Sequence, residues 1–318
     1  MIELVVVSGK GGTGKTSTVG ALAALADNKV LVDCDVDAAD LHLILHHRVE
    51  KTHDFVGGSQ AEIKGDLCTD CGLCLDYCRF NAIKTVADAA RPSGERFFVD
   101  EYACEGCGVC AHFCPEEAID FSERVNGQRF LSETAYGPLL HARLGIAQAN
   151  SGKLVAVLRQ EARKLAEQQE RELVIIDGPP GIGCPVIASL TGAGYVLLVT
   201  EPSMSALHDM ERLVKLISHF EIPAGMCINR YDINQDLTDR LERFAAEHKV
   251  ALLGKIPFDP AITKAQVAGQ TVIEYGDGPA ASELKAMWLK LREQLACMEP
   301  EHTKQPINII DIQDNVEK

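Results

Sequence analysis

Several things are scarce in this 318-residue chain, and each scarcity removes a class of protein. No stretch approaches the roughly 18 consecutive apolar residues that a membrane-spanning helix needs. Positive charge is in deficit: 31 Lys and Arg stand against 46 Asp and Glu, a net charge of −15. A chain this acidic is a poor general binder of nucleic acid or of an anionic membrane surface, so neither is expected as a partner. The ten histidines show no nucleophile pattern, the one His-x-x-x-His spacing (His42 and His46) encloses only Leu43, Ile44 and Leu45, and no Ser-His-Asp arrangement can be argued. His46, His47 and His208 are expected to be surface or hydrogen-bonded residues. The first residues, Met1-Ile2-Glu3-Leu4-Val5-Val6-Val7, carry no basic segment of the signal-peptide kind, and a cytoplasmic location is expected.

What remains is an ordinary globular composition, 46% apolar and 24% charged, with one exception. Of twelve cysteines, eight lie between Cys68 and Cys114. In a reducing compartment such clustering points to metal rather than to disulfides. These cysteines repeat at an offset of 36 (68/104, 71/107, 74/110, 78/114), and Ala82-Ile83 and Ala118-Ile119 repeat with them. Residues 60–122 are therefore an internal duplication, with a possible hairpin around Phe97-Phe98-Val99.

The flanking regions alternate short apolar strands with helical stretches. Strands are expected at Ile2–Val7, Val30–Val32, Leu173–Ile176, Tyr195–Thr200, Met226–Ile228 and Leu252–Ile256. Helices are expected at Thr16–Ala26, Leu41–Leu45, Leu154–Gln169 (with Ser151 as N-cap), Ala206–Phe220 and Ser282–Met298. Alternation of this kind predicts a parallel sheet covered on both faces. The expected organisation is an α/β domain over 1–59 and 123–298, an inserted cysteine-rich domain at 60–122, and an acidic tail at 299–318. The tail has only Lys304 and Lys318 as bases, whereas a membrane-surface helix is rich in Lys and Arg.

Two motifs carry chemistry. Gly9-Lys10-Gly11-Gly12-Thr13-Gly14-Lys15-Thr16 matches G-x-x-x-x-G-K-[ST] between a strand and a helix, the context that makes it a phosphate loop. Glycines let backbone N–H groups surround phosphate oxygens, Lys15 reaches the outer phosphates, and Thr16 offers a hydroxyl to Mg²⁺. The runs Cys68-x₂-Cys71-x₂-Cys74-x₃-Cys78 and Cys104-x₂-Cys107-x₂-Cys110-x₃-Cys114-Pro115 match the bacterial two-cluster ferredoxin spacing, whose fourth cysteine ligates the other cluster. Cys68, Cys71, Cys74 and Cys114 are thus expected to hold one [4Fe–4S] cluster, and Cys104, Cys107, Cys110 and Cys78 the other. Zinc sites space their cysteines in pairs with a long gap between, and fit less well. Proline follows Cys114 but Arg79 follows Cys78, which predicts unequal cluster potentials. Cys34, Cys227 and Cys297 are expected in the core. Ser151-Gly152-Lys153 reads as a helix start, with anion binding as the alternative.

The loop sequence K-G-G-x-G-K-T, with Lys10 in first place, resembles the deviant Walker A loop of the MinD/ParA/nitrogenase-iron-protein ATPases. Asp35 resembles that family's switch I aspartate, which positions the attacking water. Asp33 and Asp37 lie beside it. Asp177-Gly178-Pro179-Pro180-Gly181 resembles switch II, with Asp177 near Mg²⁺. Asn229 resembles the adenine-contacting asparagine, with Arg230 and Pro257 completing the base pocket. The resemblance extends to about residue 295 and implies ATP bound by Gly11, Gly12, Thr13, Gly14, Lys15, Thr16 and Ser17. It also implies slow hydrolysis and an ATP-driven dimer, with itself or a paralogue, in which Lys10 reaches the partner's nucleotide. The expected fold class is a parallel-sheet α/β P-loop ATPase domain with an inserted α+β bacterial-ferredoxin-like domain. The expected function is ATP-gated electron transfer to a redox partner. The alternatives are ATP-dependent assembly or carriage of a metallocluster, and a scaffold ATPase with structural clusters. A closed set of eight cysteines favours electron transfer over cluster donation. Cys184, seven residues after Asp177, resembles the iron protein's bridging-cluster ligand, but no second cysteine accompanies it between 123 and 176.

Overall fold

The computed structural model describes residues 1–145 and 151–298; the acidic tail lies outside the described residues. In chain order the elements begin with β1 (Ile2–Ser8), α1 (Lys15–Leu25), β2 (Lys29–Asp33), β3 (Arg48–Ile63), α2 (Leu73–Tyr77), β4 (Ile83–Ala87) and β5 (Glu95–Val99). They continue with α3 (Val109–His112), β6 (Ile119–Thr134), β7 (Gly137–Leu144), α4 (Ser151–Gln168), β8 (Leu173–Pro180), α5 (Cys184–Leu190) and β9 (Tyr195–Thr200). The last are α6 (Met204–His219), β10 (Ala224–Asn229), α7 (Gln235–Glu247), β11 (Ala251–Ile256), α8 (Pro260–Val267), α9 (Val272–Tyr275) and α10 (Pro279–Ala296).

The chain forms two compact units. The first comprises Met1–Thr52, Phe130–Ala142 and residues 151–298. Its strands run in the order β11-β10-β9-β1-β8-β2-β7, and every pairing whose register is defined there is parallel. The central strands are β-branched and apolar because helices cover both sheet faces. Leu4, Val5, Val6 and Val7 of β1 are fully buried, as are Val174, Ile175 and Ile176 of β8. The exception in β1 is Glu3, also fully buried, whose carboxylate accepts hydrogen bonds from Arg159 and Arg163 of α4. A buried carboxylate is tolerated only when paired in this way, and the pair ties α4 to the start of β1.

The expected strands and most expected helices are present, with informative shifts. Leu41–Ile44 is one 3₁₀ turn rather than a helix, because the Asp33 carboxylate accepts the Leu41 N–H and ends the run in a tight loop. Ser151 is the first helical residue of α4 rather than its cap. Helix α10 starts three residues earlier than expected, with Pro279 at its first turn, a position where the missing N–H costs nothing. Strand β7 was not legible in the sequence; it pairs parallel with β2. Cys34 and Cys227 are fully buried, as expected, but Cys297 is exposed, a correction. It is the C-cap of α10, past the last turn whose apolar stripe faces the core.

The second unit comprises His53–Arg129 and residues 143–145. Here β4 and β5 pair antiparallel, from Ile83↔Val99 to Ala87↔Glu95, giving the expected hairpin. The 36-residue duplication recurs in the backbone. Gly72 and Gly108 are left-handed N-caps of the short helices α2 and α3, and Asn81 and Glu117 share a positive φ.

Candidate functional site: a phosphate-loop cleft and two cysteine pockets

In the first unit the loop after β1 opens a cleft of about 760 Å³. It is lined by Gly11, Gly12, Gly14, Lys15, Thr16 and Ser17, by Asp35 and Asp37 after β2, by Pro179 and Pro180 at the end of β8, by Asn229 at the end of β10 and by Arg230 after it. Sequence reasoning missed Leu43, Ile44, Ile262, Thr263 and Gln266, which also line it. They belong to a 3₁₀ turn and to α8, carry no motif, and arrive only through the fold. Gln266 donates to the Ser17 hydroxyl at 2.8 Å. Pro257 is not among the lining residues; its neighbours Phe258 and Asp259 are.

Gly14 sits at φ 92°, a left-handed conformation that glycine adopts freely. A Cβ there would lie 2.3 Å from the Asn229 amide nitrogen. That amide donates to the Thr13 carbonyl at 2.8 Å and so fastens β10 to the loop. Lys15 opens α1 and is buried, its Nζ 2.5 Å from Asp177 Oδ1 and 3.6 Å from Asp35 Oδ2. Burial opposes its charge, but the neighbouring carboxylates, Asp177 first, outweigh burial and hold its pKa above the usual lysine value. Burial raises the Asp35 pKa, and burial with the Asp177 charge raises that of Asp33 well above the carboxylate range. Asp33 accepts from the Asp35 and Leu41 N–H groups and braces the loop, leaving Asp35 to face the cleft. Asp177 Oδ2 and Thr13 Oγ1 are buried with no hydrogen-bond partner. An oxygen left bare beside a phosphate loop suits a hydrated cation, so the residues present fit Mg²⁺ with nucleotide. Lys10 Nζ lies 2.7 Å from Glu201 and donates to Ser203 and Ser205; Arg230 pairs with the other Glu201 oxygen at 3.1 Å.

The second unit holds two small pockets. One is lined by Cys68, Cys71, Cys74 and Cys114, the other by Cys78, Cys104, Cys107 and Cys110. Backbone N–H groups point at sulfur in both: Ala82 N–H donates to Cys78 Sγ and Ala118 N–H to Cys114 Sγ, each at 3.3 Å. Burial raises the Cys78 pKa, but N–H groups of residues 80–83 outweigh it and the net shift is down, whereas burial prevails at Cys68, Cys74 and Cys110 and raises theirs. Gly106, at φ 62°, could not carry a Cβ, which would lie 2.1 Å from the Ser59 carbonyl oxygen. Four thiols per pocket, with N–H donors aimed at sulfur, fit a cubane cluster by the chemistry of the donor set. Among the described residues no three His, Cys, Asp or Glu side chains converge on a single-ion site. Cys184 is exposed at the start of α5, and Arg79 is exposed.

The parallel sheet, the loop between β1 and α1, and the acidic groups around Lys15 define a P-loop nucleotide-binding protein. Residues 4–272 match the CobQ/CobB/MinD/ParA nucleotide binding domain, and the chain belongs to that family. An uncharacterized protein of Methanocaldococcus jannaschii is 30% identical over 92% of this chain and 97% of its own. An iron-sulfur cluster carrier protein of Pyrococcus abyssi is 28% identical over 42% of this chain and 50% of its own. The septum site-determining protein MinD of Pyrococcus horikoshii, solved with Mg-ADP, shares the fold at a TM-score of 0.55 and 19% identity, over 93% of this chain and 97% of that one. Among the described residues no helix is long and apolar enough to cross a membrane.

Proposed function

We propose that this MinD/ParA-type ATPase is a dimeric, slowly hydrolysing nucleotide switch that carries two [4Fe–4S] clusters, bound within residues 60–122, and couples ATP-driven dimerisation to electron transfer to a partner protein. The observation that carries the reading is the gathering of the eight cysteines into two sets of four, with Cys114 joining the first motif and Cys78 the second, in a chain that also has a phosphate-loop cleft. When bound, the clusters supply one-electron storage at potentials set by their surroundings. The chain's own groups have these roles. Gly11 to Ser17 cradle the phosphates of ATP. Lys15 leaves Asp177 for the outer phosphates. Thr16 and Asp177 would hold Mg²⁺, which would offset the charge of the phosphates. Asp35 orients the attacking water, Asn229 and Arg230 border the base together with Phe258 and Asp259 of the loop that follows Pro257, and Lys10 serves the partner's nucleotide.

The experiment is an anaerobic redox titration of both clusters, followed by EPR, with and without Mg²⁺ and a non-hydrolysable ATP analogue. A shift of about 60 mV on nucleotide binding is roughly 1.4 kcal/mol of coupling for one electron and supports gating. No shift in a demonstrated nucleotide-bound dimer refutes gating through the potential. Likeness to the Pyrococcus abyssi carrier favours a second reading, ATP-dependent cluster carriage. It predicts that iron passes to an apo-acceptor protein on nucleotide exchange, which the first reading does not.

A further inference from the structure

The two cysteine pockets are built on one repeat, yet one of them carries an ion pair that the other cannot have. Asp70 lies between Cys68 and Cys71, and its equivalent in the second half is Gly106. Both positions are left-handed, at φ 59° and 62°. Glycine adopts that conformation freely, whereas aspartate does so at a cost. The Asp70 side chain is put to use. Its side chain is only 3% exposed; Oδ1 lies 3.9 Å from Arg91 Nη1, and Oδ2 accepts from Ser93 Oγ at 3.2 Å. Arg91 comes from the loop between β4 and β5. Its guanidinium donates to the Cys68 carbonyl at 3.0 Å and to the Gly65 carbonyl. In the second half Arg124 donates to the carbonyl of Glu101, the counterpart of Gly65, but it pairs with the Glu101 carboxylate, because Gly106 offers no carboxylate between the ligand cysteines.

The charges make the asymmetry matter. Cys68 Sγ donates to Asp70 Oδ1 at 3.6 Å. A cluster ligand must be a thiolate, so iron binding removes that proton and leaves two negative charges side by side. Arg91 is the group placed to offset them. We propose that Arg91 and Asp70 form a charged clasp that positions Cys68 and sets the potential of the cluster in its pocket apart from that of the other cluster. The inference rests on the cluster reading above. Arg91 acts as a positioning residue through Cys68. Removing its charge leaves Asp70 uncompensated beside the sulfur, which disfavours an added electron and lowers that cluster's potential. Removing the Asp70 charge raises it.

The test is iron analysis and EPR-monitored redox titration of the full chain and four variants: Arg91→Gln, Arg91→Lys, Asp70→Asn and the double Arg91→Gln/Asp70→Asn. Arg91→Gln should shift one reduction equilibrium about tenfold toward the oxidised form, 59 mV for one electron, with the other cluster unmoved. Asp70→Asn should shift the same cluster upward. Arg91→Lys should hold most of the wild-type value, and the double variant should return near it. Wild type that binds far fewer than eight irons overturns the cluster reading and the inference with it. Normally loaded wild type with variants whose two potentials stay fixed, or move together, overturns the clasp alone. Should Arg91→Gln fail to fold, the sign and selectivity of the Asp70→Asn shift decide the matter.

Discussion

Gly14→Ala isolates the tie between the phosphate loop and β10. The new Cβ would lie 2.3 Å from the Asn229 amide nitrogen, at a residue held at φ 92°. The left-handed backbone costs an alanine about 1–2 kcal/mol. Displacing Asn229 forfeits its bond to the Thr13 carbonyl, about 1 kcal/mol more for a buried pair. The sum is a loss of roughly 2–3 kcal/mol. Gly11→Ala is the control, since nothing lies within 4 Å of its would-be Cβ, and it should stay within about 0.5 kcal/mol of wild type. The assay is urea unfolding of the nucleotide-free protein followed by tryptophan fluorescence. Trp288 is the sole tryptophan and lies in the core of the first unit, so the signal reports on the unit that holds the loop. The double variant Gly14→Ala/Asn229→Ala removes the clash and should be more stable than the sum of the singles implies, by about 1 kcal/mol. A Gly14→Ala cost indistinguishable from that of Gly11→Ala, or strict additivity in the double, refutes the reasoning.

Other outcomes are expected of the same sites. Lys15→Ala should abolish nucleotide binding, measured by equilibrium titration. Lys10→Ala should leave binding intact while removing dimerisation and hydrolysis, and an unchanged ATPase rate would sink the dimer reading. Cys78→Ser and Cys114→Ser should each halve the iron content, with Cys114→Ser removing the cluster of the first motif, as EPR of the remaining cluster would reveal. His141 is buried against His42 and His47, and its pKa is pushed down to about 4, by burial first and then by the two neighbouring rings. Its folded pKa lies below its unfolded value of about 6.5. The stability it contributes is therefore complete above pH 6.5 and is lost as pH falls toward 4. His141→Gln should flatten the fall of urea stability across that window, and an identical pH profile would count against it.

The two motifs were legible in the sequence because their chemistry depends on neighbours in the chain. A phosphate loop is one turn between a strand and a helix, and the cysteine runs are local arcs. The apolar strands were legible for a related reason: burial on both faces demands unbroken β-branched runs such as Val5 to Val7. Weakly patterned segments were not legible. Strand β7 takes its place beside β2, and Cys297 falls at the exposed end of α10. The tertiary structure alone brought Gln266 and Ile262 to the cleft, stacked His141 between His42 and Phe130, and laid Arg91 against Cys68 across 23 residues of chain. Periodicity records which face of an element is buried. It does not record which distant side chain arrives opposite, since that depends on how the loops between elements close.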